Sequence, residues 1–376
     1  MRKVVQLKTG MLEIEVRNST IPLDDLCGFA SRNNPKRGYL FVSKVLGKHY
    51  PVKPSVMRNI YSILGRSIAV IDMDGPVVVI GMAETAIGFG QGVFESLRLL
   101  QPDKESLFIH TTRYNFDRRC ALRFEEYHCH APEHILYEPC GHDEKTIFYS
   151  ARTLILLDDE ISTGNTFVNL VTSFYNKNPN LRQVLLVTIT NWMDDPKRLE
   201  LIRRMPCAVH FVSILDGGFT FIPDKGFRFS SKCKSVGNGE MKDGCLKVNF
   251  GRFGCRNTPQ IDLHGRIDDM RLSMEDRILV LGTGEFTYFP FKLAELLEEK
   301  GHNVFFQSTT RSPIIVDCDI QCKIVFQDNY FDGIDNFVYN VCSEDYTRII
   351  LCYETCILPV EHDLIERLGA HPVFFG

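Results

Sequence analysis

Apolar residues in this chain fall into short unbroken runs. Each run is closed by a small-residue or polar loop, and most are followed by a stretch with helical spacing. PVVVIGMA (Pro76–Ala83) is continuous and β-branched, the pattern of a strand buried on both faces. It leads through AETAIGFGQG, read as a small-residue loop, into the helical stretch VFESLRLL. LFIHTT (Leu107–Thr112), TLILL (Thr153–Leu157), QVLLVTITNW (Gln183–Trp192) and AVHFVSIL (Ala208–Leu215) repeat the strand pattern. TFVNLVTSFYNKN and DDPKRLELIRRM between them have helical spacing. The second places acids first and bases last, as the helix dipole favours. This alternation predicts an α/β fold with a parallel, doubly wound sheet and right-handed crossovers. Ligands in such sheets sit at the carboxyl ends of the strands, where the small-residue loops fall.

Periodicity fails over residues 231–265, which are rich in Gly, Lys and Asn. That span reads as a linker or hinge, with CLKVNF (Cys245–Phe250) as a short strand within it. A second, smaller α/β unit follows. RILVLGTG reads as a strand and tight turn, and FPFKLAELLEEKG as a helix with Gly301 at its C-terminal cap. NVFFQSTTRSP, KIVFQD, NFVYNV and RIILCYE read as strands. With 376 residues and ~100–200 residues per domain, two domains are expected: 1–230 and 266–376, joined by 231–265.

Composition adds mainly exclusions. Hydrophobic residues make up 44% and charged residues 24%, ordinary for a globular chain, and the formal net charge of −4 offers no nucleic-acid or membrane surface. MRKVVQLKTGMLEIEV lacks the apolar core of a signal peptide, and no segment approaches the ~20 apolar residues of a membrane span, so the chain is read as cytoplasmic. The 13 cysteines show no paired CxxC frame. The Cys318/Cys322 and Cys352/Cys356 pairs and the His128-Cys129-His130 cluster therefore argue weakly for zinc, and reduced, mostly buried thiols are expected. Arg32–His49 is dense in cations around the apolar run Tyr39–Val42. On charge alone it reads as a solvated face beside an edge strand.

Chemistry concentrates in LLDDEISTGNT (Leu156–Thr166). A buried strand delivers Asp158 and Asp159 to its carboxyl end. The loop then offers backbone N–H groups, the hydroxyls of Ser162, Thr163 and Thr166, and Gly164, before a helix begins at about Asn165. Free amides at a helix N-terminus suit a phosphate, and glycine permits close approach of the backbone. Carboxylates do not bind phosphate, but they accept hydrogen bonds from a vicinal diol and tolerate Mg²⁺ nearby. A ligand with a phosphate at one end and a diol a few ångströms away, such as ribose 5-phosphate, matches both halves. A capped strand–helix turn is the ordinary alternative for a lone Asp-Asp.

LILLDDEISTGNT closely resembles the signature by which type I phosphoribosyltransferases bind phosphoribosyl pyrophosphate (PRPP). It departs from that pattern at Asn165, where glycine is commoner, and at the polar Glu160. GMAETAIGFG (Gly81–Gly90) is similar to the family's pyrophosphate loop. HTTRYNFD and the polar stretch to about Tyr137 occupy the place of its hood loop. Arg32–His49 and the Thr310-Arg311-Ser312-Pro313 motif resemble, more narrowly, the phosphoribosyltransferases of bacterial tellurite-resistance stress operons, which carry a C-terminal domain named for that motif.

The resemblance covers essentially the whole chain and implies a division of labour. Asp158 and Asp159 would hold the ribose hydroxyls and a Mg²⁺, directly or indirectly. Ser162, Thr163, Gly164, Asn165 and Thr166 would cradle the 5′-phosphate, and Ala83, Glu84, Thr85 and Ala86 the pyrophosphate. Arg113 would reach the pyrophosphate as the hood closes, and Arg32, Lys44, Lys48 and His49 would wall the site. Glu285, Arg311, Ser312, Asn340 and Glu354 follow or end strands and are candidates for a ligand site in the second domain. GTGEFTYF is not a dinucleotide fingerprint. The implied activity is transfer of phosphoribose from PRPP·Mg²⁺ to an unidentified base, making a nucleotide-like metabolite, in a homodimer or with partners from the same operon. The alternative is a PRPP-sensing regulator without turnover.

Overall fold

A computed structural model of the protein describes residues 1–125, 133–229, 237, 239–259 and 261–376. The first half contains β1 (Arg2–Leu7), β2 (Gly10–Ser19), α1 (Leu23–Leu26), β3 (Cys27–Ser31), β4 (Tyr39–Ser43), α2 (Pro54–Ala69), β5 (Val77–Gly81), α3 (Ala86–Leu100) and β6 (Ser106–His110). It continues with β7 (Cys120–Glu125), β8 (Glu133–Tyr137), α4 (His142–Ser150), β9 (Thr153–Ile161), α5 (Asn165–Lys177), β10 (Gln183–Asn191), α6 (Asp195–Arg204) and β11 (Ala208–Pro223). The second half holds α7 (Leu263–Asp269), β12 (Arg277–Gly282), α8 (Tyr288–Glu299), β13 (Asn303–Ser308), β14 (Lys323–Gln327), β15 (Asp335–Tyr339), β16 (Arg348–Tyr353), α9 (Leu364–Leu368) and β17 (His371–Phe374).

The expected parallel sheet is present. Its order is β1-β2-β11-β10-β9-β5-β6. The five strands from β11 to β6 run parallel, and β2 and β1 add an antiparallel edge. Its central strands, such as Val77–Ile80, Leu154–Leu157 and Val184–Val187, are buried throughout, which is why they read as unbroken apolar runs. A second, smaller parallel sheet, β13-β12-β16-β17, forms the later α/β unit, with the antiparallel pair β14-β15 beside it. One apolar cluster contains residues of both sheets, including Val79, Leu156, Val280 and Phe306. Arg58 of α2 ties the two halves through Glu95 of α3 and Glu295 of α8.

Two local readings need correction. The stretch read as a small-residue loop is mostly helix, because α3 already begins at Ala86. Its glycines serve packing: a Cβ on Gly92 would lie 2.2 Å from the Tyr61 ring of α2. CLKVNF forms a turn and loop rather than a strand. Cys245 and Leu246 both donate their N–H to the Lys242 carbonyl, at 3.0 and 2.8 Å. The described part of the 231–265 span also packs closely. Lys242 meets Asp332 at 2.7 Å, and Cys255 pairs with Phe108 at the edge of the first sheet.

Among the described residues no group of three or more His, Cys, Asp or Glu side chains could hold a metal ion, and no helix is long and apolar enough to cross a membrane. The Cys318/Cys322 and Cys352/Cys356 spacings do not fall on helices, and all four thiols are free. The His128-Cys129-His130 cluster lies outside the described residues.

Candidate active site

The carboxyl edge of the first sheet opens because its strands end at different heights. β5 stops at Gly81, opposite Leu157 of β9, while β9 continues to Ile161 alongside β10. From Asp158 onward β9 therefore lacks a neighbour on one side, and a cleft forms there. Asp158 and Asp159 line it from the strand, and Ser162–Thr166 from the loop and the first turn of α5. Gly164 caps that helix in the left-handed region, with φ of 72°. A Cβ there would also lie 2.1 Å from Leu201 Cδ1. Asn165 borders the cleft, but its side-chain oxygen is engaged by Arg204 at 2.7 Å.

Burial, and next the charge of Glu160, push the Asp159 carboxyl up to about 6. Glu160 is itself held by Arg37, whose guanidinium lies 5.0 Å from the Tyr39 ring centre. The polar residue at position 160, a departure from the family pattern, is thus neutralised within the cleft wall.

Ala83, Glu84 and Thr85 line the opposite wall, and the Ala83–Glu84 peptide is cis. Ala86 does not line the cleft. It is the first residue of α3 and donates its N–H to the Met82 carbonyl at 2.9 Å. Burial raises the Glu84 pKa, but the charges of Lys48, Arg311 and Arg113 outweigh it and hold the carboxyl below its ordinary value. Arg113 lines the cleft and donates to the Ala83 carbonyl at 3.3 Å.

Arg32 and His49 line the cleft, whereas Lys44 and Lys48 do not. Lys44 pairs with Asp319 at 3.1 Å. Lys48 is buried beneath the site, 3.4 Å from Glu84, and donates to the Thr309 carbonyl at 2.7 Å. Burial drives the His49 imidazole down to about 3, helped by the charges of Lys48 and Arg32. The ring is neutral in the folded protein.

The residues considered for a separate second-domain site divide into two groups. Arg311 and Ser312, together with the adjacent Thr310, which was not among them, line the same cleft as the Asp-Asp loop. Arg311 is 9% exposed, donates to the Tyr114 hydroxyl at 3.0 Å and sits over that ring at 5.3 Å. Glu285, Glu354 and Asn340 are structural neighbours instead. Arg252 reaches both oxygens of Glu354 at 2.8 and 3.0 Å and Glu285 at 3.4 Å. Glu285 also accepts from the Thr112 hydroxyl at 2.6 Å and from the Arg113 N–H at 2.7 Å. Asn340 donates to the His49 and Asp319 carbonyls, both at 3.0 Å.

Arg37 and His134 also line the cleft and are not among the site residues expected from the sequence. Arg37 stood inside the basic run, and the signal that could have drawn attention to it was the unusual Glu160. His134 lies in the stretch read only as polar and uncompacted. It is buried, stacked on Phe124 at 5.0 Å, and 3.1 Å from the Thr111 hydroxyl, which accepts the Ala83 N–H at 2.8 Å.

Residues 26–218 match the family described as phosphoribosyl transferase, and residues 249–368 match the TRSP domain that lies C-terminal to it. Among solved structures the chain is similar to adenine phosphoribosyl transferase from Trypanosoma brucei. Identity is 12%, 57% of this chain and 87% of that chain are covered, and the TM-score is 0.35. For adenine phosphoribosyltransferase from Rhodothermus marinus the identity is 16%, the coverage 51% and 95%, and the TM-score 0.31. For the enzyme from Leishmania donovani the identity is 15%, the coverage 52% and 78%, and the TM-score 0.33. No curated protein matches.

Proposed function

The chain belongs to the phosphoribosyl transferase family, and from that premise we propose that it transfers phosphoribose from PRPP to the nitrogen of a base, releasing pyrophosphate. The observation that carries this reading is the meeting in one cleft of Asp158, Asp159, the Ser162–Thr166 loop and the Ala83–Thr85 loop. The free amides at the start of α5 suit the 5′-phosphate. Asp158 and Asp159 accept hydrogen bonds from the ribose diol and face the positive charge that develops at the sugar as the pyrophosphate leaves. The Ala83–Thr85 loop, with Arg113 beside it, takes the pyrophosphate. Closure over the cleft excludes water, so that the base rather than water attacks C1.

Mg²⁺ is the cofactor that this donor requires. Asp158 and Asp159 line the cleft, and among the described residues no group of three or more His, Cys, Asp or Glu side chains could hold a metal, which suits a cation that arrives on the pyrophosphate and keeps much of its water. When bound, it neutralises charge on the leaving group. The resemblance to the tellurite-resistance group supports a nucleotide-like product serving a stress response.

The test is pyrophosphate release on incubation with PRPP, Mg²⁺ and a panel of bases. Release is expected with at least one base. In Asp158→Asn/Asp159→Asn it should fall by roughly a hundredfold or more, with the far-ultraviolet circular dichroism unchanged. PRPP binding without release on any base would favour a PRPP-sensing regulator. A fully active double variant would refute the assignment of the carboxylates.

A further inference from the structure

Three polar groups in one corner of the cleft have bonding capacity that the folded chain does not use. Arg32 is only 7% exposed, and its buried Nε has no hydrogen-bond partner among the described residues. His49 Nδ1 and Ser312 Oγ are likewise buried without a partner. All three residues line the cleft. A buried guanidinium without a counter-charge is costly, so a bound anion is the natural complement to Arg32.

The three converge through the backbone. Arg32 bridges antiparallel to Ile314, and Asn33 donates its N–H to the Pro313 carbonyl at 3.4 Å, which brings Arg32 beside Ser312. The His49 ring lies 6.0 Å from that of Tyr339, whose hydroxyl donates to the Ser312 carbonyl at 2.7 Å. This corner therefore exists only where the N-terminal segment meets the Thr-Arg-Ser-Pro loop of the second unit.

Other cations of the site already have anions to serve. Arg37 is taken by Glu160. Lys48, Arg311 and Arg113 are the cations whose charges bear on Glu84, in the loop assigned to pyrophosphate. Arg32 bears on His49 instead. The donor's phosphate and pyrophosphate each have an amide-rich loop of their own, which leaves Arg32 without a donor group to bind.

We infer that the acceptor base carries a carboxylate, or an equivalent planar oxyanion, bound by the Arg32 guanidinium fork with hydrogen bonds from His49 and Ser312. A fork of N–H donors matches a carboxylate in two-point geometry. The neutral imidazole supplies a donor rather than a second charge. This inference rests on the reading of the cleft as a PRPP site.

The experiment compares matched acceptors on the full-length protein with PRPP and Mg²⁺. Nicotinate is set against nicotinamide, and orotate against uracil. PRPP affinity is measured separately by calorimetry, and pyrophosphate release follows turnover. At least one acid should bind or react tenfold or more better than its neutral twin. Arg32→Gln should lower acid affinity at least fivefold more than PRPP affinity, and Arg32→Lys should recover part of the loss.

Intact PRPP binding with no preference for either acid over its twin would overturn this inference and leave the donor reading standing. A loss in Arg32→Gln that is equal for PRPP and acid would also overturn it, by assigning the cation to the donor. Absence of PRPP binding in the unaltered protein would remove both readings.

Discussion

Glu285, in the turn that follows β12 of the second sheet, accepts the backbone N–H of Arg113 at 2.7 Å. Arg113 lines the cleft, so the second unit holds this cleft-lining arginine by its main chain. The same carboxylate takes the Thr112 hydroxyl, and Arg252 secures it from behind. Replacing Glu285 by Gln keeps the shape and removes the charge-assisted acceptor. A loss of about 1–3 kcal/mol in unfolding free energy is expected, with weaker PRPP binding. If the effect on PRPP runs through Arg113, Glu285→Gln and Arg113→Gln will be non-additive in calorimetry. Strict additivity would show that Glu285 does not position Arg113.

Lys48 and Glu84 form a buried pair at 3.4 Å, beneath the loop assigned to pyrophosphate. Removing one partner strands the other charge. Lys48→Met should therefore cost about 3–5 kcal/mol in urea unfolding. Lys48→Met/Glu84→Gln should recover much of that loss. A double variant no more stable than the single one would argue that the cost comes from the lost Thr309 and Gly284 contacts alone.

Acid should weaken the protein through its buried histidines. Burial drives both His49 and His110 down to about 3 from an ordinary 6.5. Between those values the native state binds fewer protons than the unfolded chain. Their contribution to stability is therefore full above about 6.5 and is lost as pH falls towards 3, at up to roughly 1.4 kcal/mol per residue per pH unit. Asp159, pushed up to about 6, acts with the opposite sign between about 4 and 6, and cancels when variants are compared. The His49→Gln/His110→Gln protein should show a shallower fall in urea midpoint from pH 6 to pH 4. Parallel curves would contradict the burial argument.

Gly164 combines a positive φ of 72° with a contact that a Cβ would make at 2.1 Å to Leu201. Gly164→Ala should lower stability by roughly 1–2 kcal/mol and shift the backbone amides at the start of α5. Thermal unfolding, paired with PRPP calorimetry, reads both effects. A variant as stable as the parent would mean that the loop relaxes elsewhere.

Where each reading succeeded follows from how local its cause is. Runs such as Val77–Ile80 and Leu154–Leu157 announce a doubly buried strand, because burial on both faces leaves no polar position. The helix after Gly164 was legible because apolar spacing and loop chemistry are adjacent in the chain. The AETAIGFGQG stretch misled because its glycines answer to packed neighbours, Gly92 to the ring of Tyr61 and Gly88 to Thr287, and not to a turn.

By itself, the sequence determined the strand–loop–helix that brings Asp158 and Asp159 beside the Ser162–Thr166 loop, since all its parts lie within a dozen residues. It also carried the resemblance to the phosphoribosyl transferase family, followed by a second α/β unit. Tertiary structure alone decided how the other charges are shared. Lys48 reaches a carbonyl 261 residues away and Glu285 an amide 172 residues away, while the buried Nε of Arg32 meets no hydrogen-bond partner among the described residues. Whether a buried charge is paired depends on what packing brings within a few ångströms. For these groups that is set by how the second unit docks against the first, which no local pattern encodes.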